Sequence, residues 1–130
     1  MRHSMALAAG AAALLGVGAA QAHHSFAAFF DPDKMIKIKG TVTDFHFTNP
    51  HGTIGIDVTG PDGKVQKWRA ETNAPVVLMR RGWTRTSVKP GDIVTIEGWS
   101  SRDGKPYLRL RAAWDASGKA IGVQFNQTDG

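Results

Sequence analysis

The sequence predicts an all-β domain with one short helix: a small five-stranded OB-like barrel preceded by an extended N-terminal arm. Three observations carry that expectation. Five runs rich in β-branched and aromatic residues follow one another: Ile36 to Phe47, Ile54 to Val58, Val65 to Glu71, Ile93 to Trp99 and Tyr107 to Trp114. A single helix signal falls between the third run and the fourth. The breaks between runs carry Gly, Pro, Asn and Asp, the residues that turns require. Closing such a sheet removes the edges it would otherwise expose. An open meander or small sandwich of the same strands is the alternative architecture.

The first residues, Met1-Arg2-His3-Ser4, are short and positively charged, and an apolar run follows from Met5 to Ala20. Ala20-Gln21-Ala22 then places small residues at the −3 and −1 positions of a signal-peptidase site. Residues 1–22 therefore read as a secretory signal peptide cleaved after Ala22. A membrane anchor is the competing reading, but the run is short and its Ala and Gly make it weakly apolar. No second apolar stretch follows, so the mature chain is expected to be periplasmic or secreted and not embedded in a membrane. Of 16 Lys and Arg only Arg2 lies in the leader, so the rest exceed the 11 Asp and Glu by four. That surplus favours anionic partners through the long-range field. The chain has no Cys, which excludes disulfides, thiolate catalysis and Cys-based zinc sites.

Residues 23–35 form the arm, with Phe26, Phe29 and Phe30 placed to pin it and Asp31-Pro32-Asp33 as a turn. The barrel domain is set at residues 36–125. In its first strand Ile36, Ile38 and Val42 share one parity and Phe45 and Phe47 the other, which implies a bulge or bend around Gly40. Thr48-Asn49-Pro50-His51-Gly52 breaks that strand. Gly60-Pro61-Asp62-Gly63 is a hairpin turn between the second and third strands. Asn73 is the expected N-cap of a helix over Val76 to Arg81, with Pro75 in its first turn and Gly82 as its stop. Lys89-Pro90-Gly91-Asp92 and Asp103-Gly104 mark the last two turns. A final short strand is expected at Ile121 to Phe125, with fraying after Gln124.

The chemistry centres on histidine. Cleavage after Ala22 makes His23 the new N-terminal residue, so one residue offers both a free α-amine and an imidazole. Together they close a chelate ring, and a remote imidazole completes a T-shaped set of three nitrogens. That geometry, a histidine brace, suits Cu(II), which prefers tetragonal nitrogen ligands. His51, in the loop after the first strand, is the natural remote ligand. Asn49-Pro50 ahead of it restricts the backbone. His24 is an auxiliary ligand, and Glu71 is the carboxylate expected as axial ligand or as support behind an imidazole. The metal site is therefore His23, His24, His51 and Glu71, with copper as cofactor and zinc, which neutral imidazole also suits, less favoured. The competing reading gives these histidines structural roles only: adjacent histidines at a chain end and a His after Asn-Pro are both common. His46, beside two phenylalanines in a strand, reads as a solvent-side residue.

A second constellation interleaves Arg69, Arg109 and Arg111, and Arg80, Arg81 and Arg85 near the helix, with Trp68, Trp83, Trp99, Trp114 and Tyr107. OB-folds hold single-stranded nucleic acid on such surfaces. Export argues against that partner, and the plainer reading is a solvated basic strand face beside a buried aromatic set that includes Trp68. No nucleic acid is expected among the partners. No catalytic set stands out either. Ser25 beside His24 lacks a nucleophile elbow, the carboxylates at Asp31, Asp33, Asp62, Asp92 and Asp103 serve turns, and Gly60 to Gly63 is not a phosphate loop. The chain is not expected to be an enzyme.

Several of these segments together resemble a bacterial family of small exported proteins of unknown function. The residues are His23-His24-Ser25-Phe26, Gly40-Thr41-Val42, Thr48-Asn49-Pro50-His51, Trp68 with Glu71, and Asn73 through Arg80-Arg81-Gly82-Trp83-Thr84-Arg85 to Lys89-Pro90-Gly91-Asp92. The likeness covers essentially the whole mature chain. It implies export and a shared fold, places His23, His24, His51 and Glu71 among the motif positions, and brings no activity with it. The chain departs from the family at Gly52-Thr53, where a bulkier aromatic pair is expected, and that departure implies a more open loop around His51.

The expected role is thus a periplasmic metal-binding module that delivers, buffers or senses copper, its partners being the metal ion and another periplasmic protein. The rival is a metal-free interaction module whose Phe-rich arm and basic face hold a partner protein or an anionic envelope component. A copper oxidoreductase is a third reading, with no sequence feature that demands it.

Overall fold

The structure, a computed structural model, describes residues 26–129. The leader and both N-terminal histidines, His23 and His24, lie outside the described residues. Strands β1 (Phe30–His46), β2 (Thr53–Thr59), β3 (Val65–Glu71), β4 (Ile93–Ser101) and β5 (Tyr107–Trp114) form a closed barrel in the order β1-β2-β3-β5-β4, and helix α1 (Pro75–Arg80) lies between β3 and β4. No helix among the described residues is long and apolar enough to cross a membrane.

β1 makes closure possible by belonging to two pairings. From Met35 to Thr41 it runs antiparallel to β4, and from Thr41 to His46 antiparallel to β2. The change of partner needs a sharp bend. The register slips between Val42 and Asp44, leaving Thr43 as the extra residue of a bulge. That slip explains the parity switch: Val42 before it and Phe47 after it both reach the core. Gly40 sits where β1 presses on β2, and a Cβ there would collide with the Asp57 carbonyl. The strand opens at Phe30, earlier than the apolar pattern indicates, because Phe30 pairs with Ser101 across an irregular stretch before Met35. Phe26 to Phe29 ahead of it form a helical turn where the sequence suggested extended chain.

The turns follow their residues. Gly60 and Lys64 close the β2–β3 hairpin through a Gly60 N–H to Lys64 carbonyl bond of 2.8 Å, and Asp62 Oδ1 accepts from the Lys64 N–H. Helix α1 ends in a Schellman arrangement: the Trp83 N–H donates to the Leu78 carbonyl and the Gly82 N–H to that of Met79, each at 3.0 Å. Gly82 holds φ at +85°, and Trp83 and Leu78 are both buried. The start of α1 differs from expectation. Ala74, not Asn73, occupies the N-cap, with no side-chain cap bond, because the Asn73 side chain is engaged elsewhere.

The core gathers Val42, Ile54, Ile56, Ala70, Leu78, Trp83, Val94, Ile96, Leu108 and Leu110 inside the barrel and under α1. Trp68, expected in this set, is only partly buried at its margin, and its indole N–H donates to Gln66. The tail differs as well. Ile121 to Phe125 is not a strand; a single bridge joins Ala120 to Trp114. Nor is it frayed. Phe125 is buried, its N–H donates to the Arg111 carbonyl, and Asp129 receives Arg81 at 2.7 Å.

The bend in β1 makes a prediction. Gly40→Ala should cost about 1–3 kcal/mol, read from urea unfolding midpoints at unchanged slope. Unchanged stability would show that β1 can draw away from β2 at that point.

Candidate functional site: a buried arginine beneath His51

β3 and β5 meet as parallel neighbours over only three pairs: Arg69 with Tyr107, Ala70 with Leu108 and Glu71 with Arg109. The last places a guanidinium beside a carboxylate at the end of the seam. Arg109 is 8% exposed. A charge so placed must be paired and hydrogen-bonded, and it is. Arg109 Nη1 donates to Glu71 Oε1 at 2.6 Å, while Nη2 donates to Asn73 Oδ1. This explains the missing N-cap: Asn73 spends its side chain on Arg109. Tyr107 OH donates to the second carboxylate oxygen of Glu71 at 2.5 Å. Both Glu71 oxygens are therefore occupied. Burial lowers the Arg109 guanidinium's hold on its proton, and Glu71 restores part of it. Burial, followed by the bond to Glu71 and its negative charge, pushes the Tyr107 phenol well above its ordinary range.

His51 lies over this network. Its Nδ1 is 3.2 Å from the Thr72 carbonyl oxygen, 3.2 Å from Arg109 Nη1 and 3.9 Å from Glu71 Oε1. The carbonyl can only accept, so it asks for a proton on Nδ1. Arg109 Nη1 asks for a lone pair there, since it carries two hydrogens and its bond to Glu71 uses only one. The Nδ1–H tautomer donates to Thr72 and leaves the lone pair on Nε2; the Nε2–H tautomer accepts from Arg109 instead. The side chain that carries Nε2 is 44% exposed.

The loop beneath is tight. Gly52 is buried, and its carbonyl accepts from the Thr72 N–H at 2.8 Å. A Cβ at Gly52 would lie 2.5 Å from the His46 carbonyl oxygen and 2.6 Å from Thr72 Oγ1. The expectation of an open loop at Gly52-Thr53 is thus corrected: the missing side chain permits close packing of the two backbones that hold His51.

Of the predicted metal residues, the structure brings His51 and Glu71 together and leaves His23 and His24 outside its described part. Among the described residues no group of three His, Cys, Asp or Glu could hold a metal. His46 pairs with Asp44 at 3.1 Å, away from this set. Asn73, Tyr107 and Arg109 are the residues that the sequence reading missed. Arg109 was placed on a solvated basic face; it is buried because β3 and loop 51–53 cover it. The signal available was spacing: Glu71 with Asn73, and Tyr107 with Arg109, each two apart at a strand end.

The chain begins its described course near this network. The Phe26 ring packs edge-on to Trp99 at 5.4 Å and beside Phe30 at 5.7 Å, and Phe30 stacks on Tyr107 at 5.6 Å.

A family model described as a family of unknown function (DUF6152) matches residues 12–108. No curated protein matches the sequence. Among solved structures, the chain is similar to that of TiaS in a complex with transfer RNA and ATP, with TM-score 0.47 and 16% identity over 66% of this chain and 19% of that one. It therefore spans about a fifth of the TiaS chain's length (19%). It is similar also to Rim1, a mitochondrial single-stranded DNA-binding protein of S. cerevisiae, with TM-score 0.47 and 16% identity over 64% of this chain and 95% of that one. A small single-stranded DNA-binding protein from Streptomyces coelicolor matches with TM-score 0.42 and 16% identity, over 63% of this chain and 90% of its own. One expectation is withdrawn here: nucleic acid was left out of the partners on the grounds of export and strand parity, whereas two of these neighbours are named as single-stranded DNA-binding proteins.

Two predictions test the network. Glu71→Ala leaves a buried guanidinium unpaired and should cost about 3–5 kcal/mol in denaturant unfolding; a loss near zero would mean that water reaches Arg109. Tyr107 is the chain's single tyrosine, so alkaline absorbance titration reads it alone. With its folded pKa raised above the ordinary value of about 10, its contribution to stability is complete below that pH and is lost as pH climbs toward the folded value. Ionisation should lag well behind that of free tyrosine and arrive with unfolding. A midpoint near the ordinary value would contradict the bond to Glu71.

Proposed function

This chain belongs to DUF6152, a family of unknown function, and on that footing we propose that it is an exported metal-handling module. Copper is its metal, and delivery, buffering or sensing is its role. One observation carries the reading: His51 Nδ1 lies 3.2 Å from a backbone carbonyl, and the tautomer that donates to it leaves Nε2 for a ligand. Metal-binding histidines are oriented in this way, by a carbonyl or carboxylate behind the ring. Glu71, both of its oxygens already taken, fits the supporting position rather than a place on the metal.

The described barrel offers one imidazole, so the other donors must come from elsewhere in the chain. The leader pattern supplies them. With cleavage after Ala22, the α-amine and imidazole of His23 become ligands and His24 an auxiliary, within about 10 Å of extended chain upstream of Phe26. Phe26 and Phe30, packed beside Trp99 and Tyr107, fix where that chain departs. Three nitrogens so assembled suit Cu(II) in tetragonal coordination.

The test is a Cu(II) titration, followed by electron paramagnetic resonance, on protein whose chain begins at His23. Comparison proteins carry one extra residue ahead of His23, or His51→Ala. One-to-one binding with a nitrogen-rich spectrum is expected, about ten- to hundredfold weaker in each comparison protein. Equal, weak binding in all three would overturn the reading.

A further inference from the structure

β2 accompanies β3 from Val65 to Glu71, but β5 joins β3 only from Arg69 onward. The gap that this short seam leaves is part of a groove of about 600 Å³, walled by β1 at its bulge, the middle of β2 and β3, and the segment from Ser101 to Tyr107. Its size falls within the roughly 300–1,000 Å³ of small-ligand sites. The chemistry of its walls says which ligand suits it.

The polar wall is charge-balanced. Lys67 stands directly opposite Asp57 on β2, with Nζ 3.9 Å from its carboxylate. Arg69 stands opposite Gly55, which has no side chain, and so reaches across to Asp44 on β1 at 3.1 Å. Lys105 pairs with Asp103 at 3.3 Å. An ionic ligand of either sign therefore meets as many like charges as opposite ones. The same pairs suit a neutral ligand whose groups both donate and accept. Among the described residues Arg69 is engaged through Nη1 alone, to Asp44 and Thr53, and Asp57 is met only by Lys67. Donors and acceptors thus remain side by side. A hydroxyl is both donor and acceptor. Of two hydroxyls on neighbouring carbons, one can donate to a carboxylate while the other accepts from the cation beside it.

The apolar wall is aromatic: Phe29, Trp68 and Tyr107. Phe29 is 66% exposed. The polar ends of the other two are already tied, Trp68 to Gln66 and Tyr107 to Glu71, so these rings offer the groove carbon surface. A pyranose is built to match both walls. Its faces carry C–H groups, weakly positive, that the negative face of an aromatic ring attracts. Its rim carries hydroxyls. We infer that this groove binds a neutral oligosaccharide, its rings packed against Phe29, Trp68 and Tyr107 and its hydroxyls shared between the Asp44–Arg69 and Asp57–Lys67 pairs. The inference does not rest on the metal reading, since the groove uses neither His51 nor the chain upstream of Phe26.

The experiment is nitrogen-15 NMR titration of the protein, read at the Trp68 indole N–H, the Arg69 Nε–H and the Gly55 amide. The probes are cellohexaose, maltohexaose and chitohexaose. Hexagalacturonate, hexaglucosamine and oligothymidylate are run beside them as charged chains. At least one neutral sugar should move all three signals saturably, and the charged chains should not. Phe29→Ala leaves the core untouched, and it should weaken binding about two- to tenfold; Trp68→Ala should do the same. Asp44→Asn with Asp57→Asn keeps the shape and leaves the groove net positive. It should weaken the neutral sugar and admit hexagalacturonate. The inference is overturned if no neutral sugar moves these signals at about 10 mM, beyond the millimolar end of specific binding. It is overturned also if a charged chain binds the unaltered groove as well as the sugars do, or if Phe29→Ala and the double Asn variant both leave sugar binding unchanged.

Discussion

A single buried guanidinium organises one end of this barrel. Arg109 lies at the end of the short seam where β5 runs beside β3, and a cation at that depth is tolerable only with a carboxylate and further acceptors around it. Glu71 supplies the charge, Asn73 a second acceptor, and Tyr107 ties down the other carboxylate oxygen. The arrangement has consequences beyond itself. It takes Asn73 away from the helix it would otherwise cap. It fixes the short parallel seam that closes the barrel, and it gives His51 a rigid floor of known charge.

What was legible in the sequence is what local chemistry decides. The hairpin at Gly60 to Gly63, the stop at Gly82 and the alternation of Ile54, Ile56 and Val58 need only a few neighbouring residues. The parity switch within β1 was legible too, although the bulge falls at Thr43, just past the glycine that marks the bend. The contacts that matter at the site join residues far apart in sequence. Arg109 looked like one more cation on an exposed strand because nothing local says that β3 and loop 51–53 will lie over it. Glu71 and His51 were singled out, yet the residues that hold them, Tyr107, Arg109 and Asn73, come from a parallel pairing of non-adjacent strands that periodicity does not reveal. The tail was misread for the same reason: Phe125 is buried by the partners it meets, the Arg111 backbone and the Trp83 ring, not by any pattern of its own.

The network under His51 and the groove beside β3 meet at Tyr107. Its hydroxyl belongs to the network under His51, its ring stacks on Phe30, and it also lines the groove along the open edge of β3. An occupant of that groove would press on the ring whose hydroxyl steadies Glu71. The groove and the setting of His51 are therefore mechanically adjacent, joined by one side chain and one hydrogen bond of 2.5 Å.

His51 can serve as the remote metal ligand only in the tautomer with the proton on Nδ1, donated to Thr72, and the lone pair on Nε2. Nitrogen-15 NMR of the histidine side chains in metal-free protein near neutral pH reads it directly. The His51 Nδ1 shift should be that of a protonated ring nitrogen and the Nε2 shift that of an unprotonated one. Protonation on Nε2, or the averaged shifts of a freely exchanging imidazole, would contradict it.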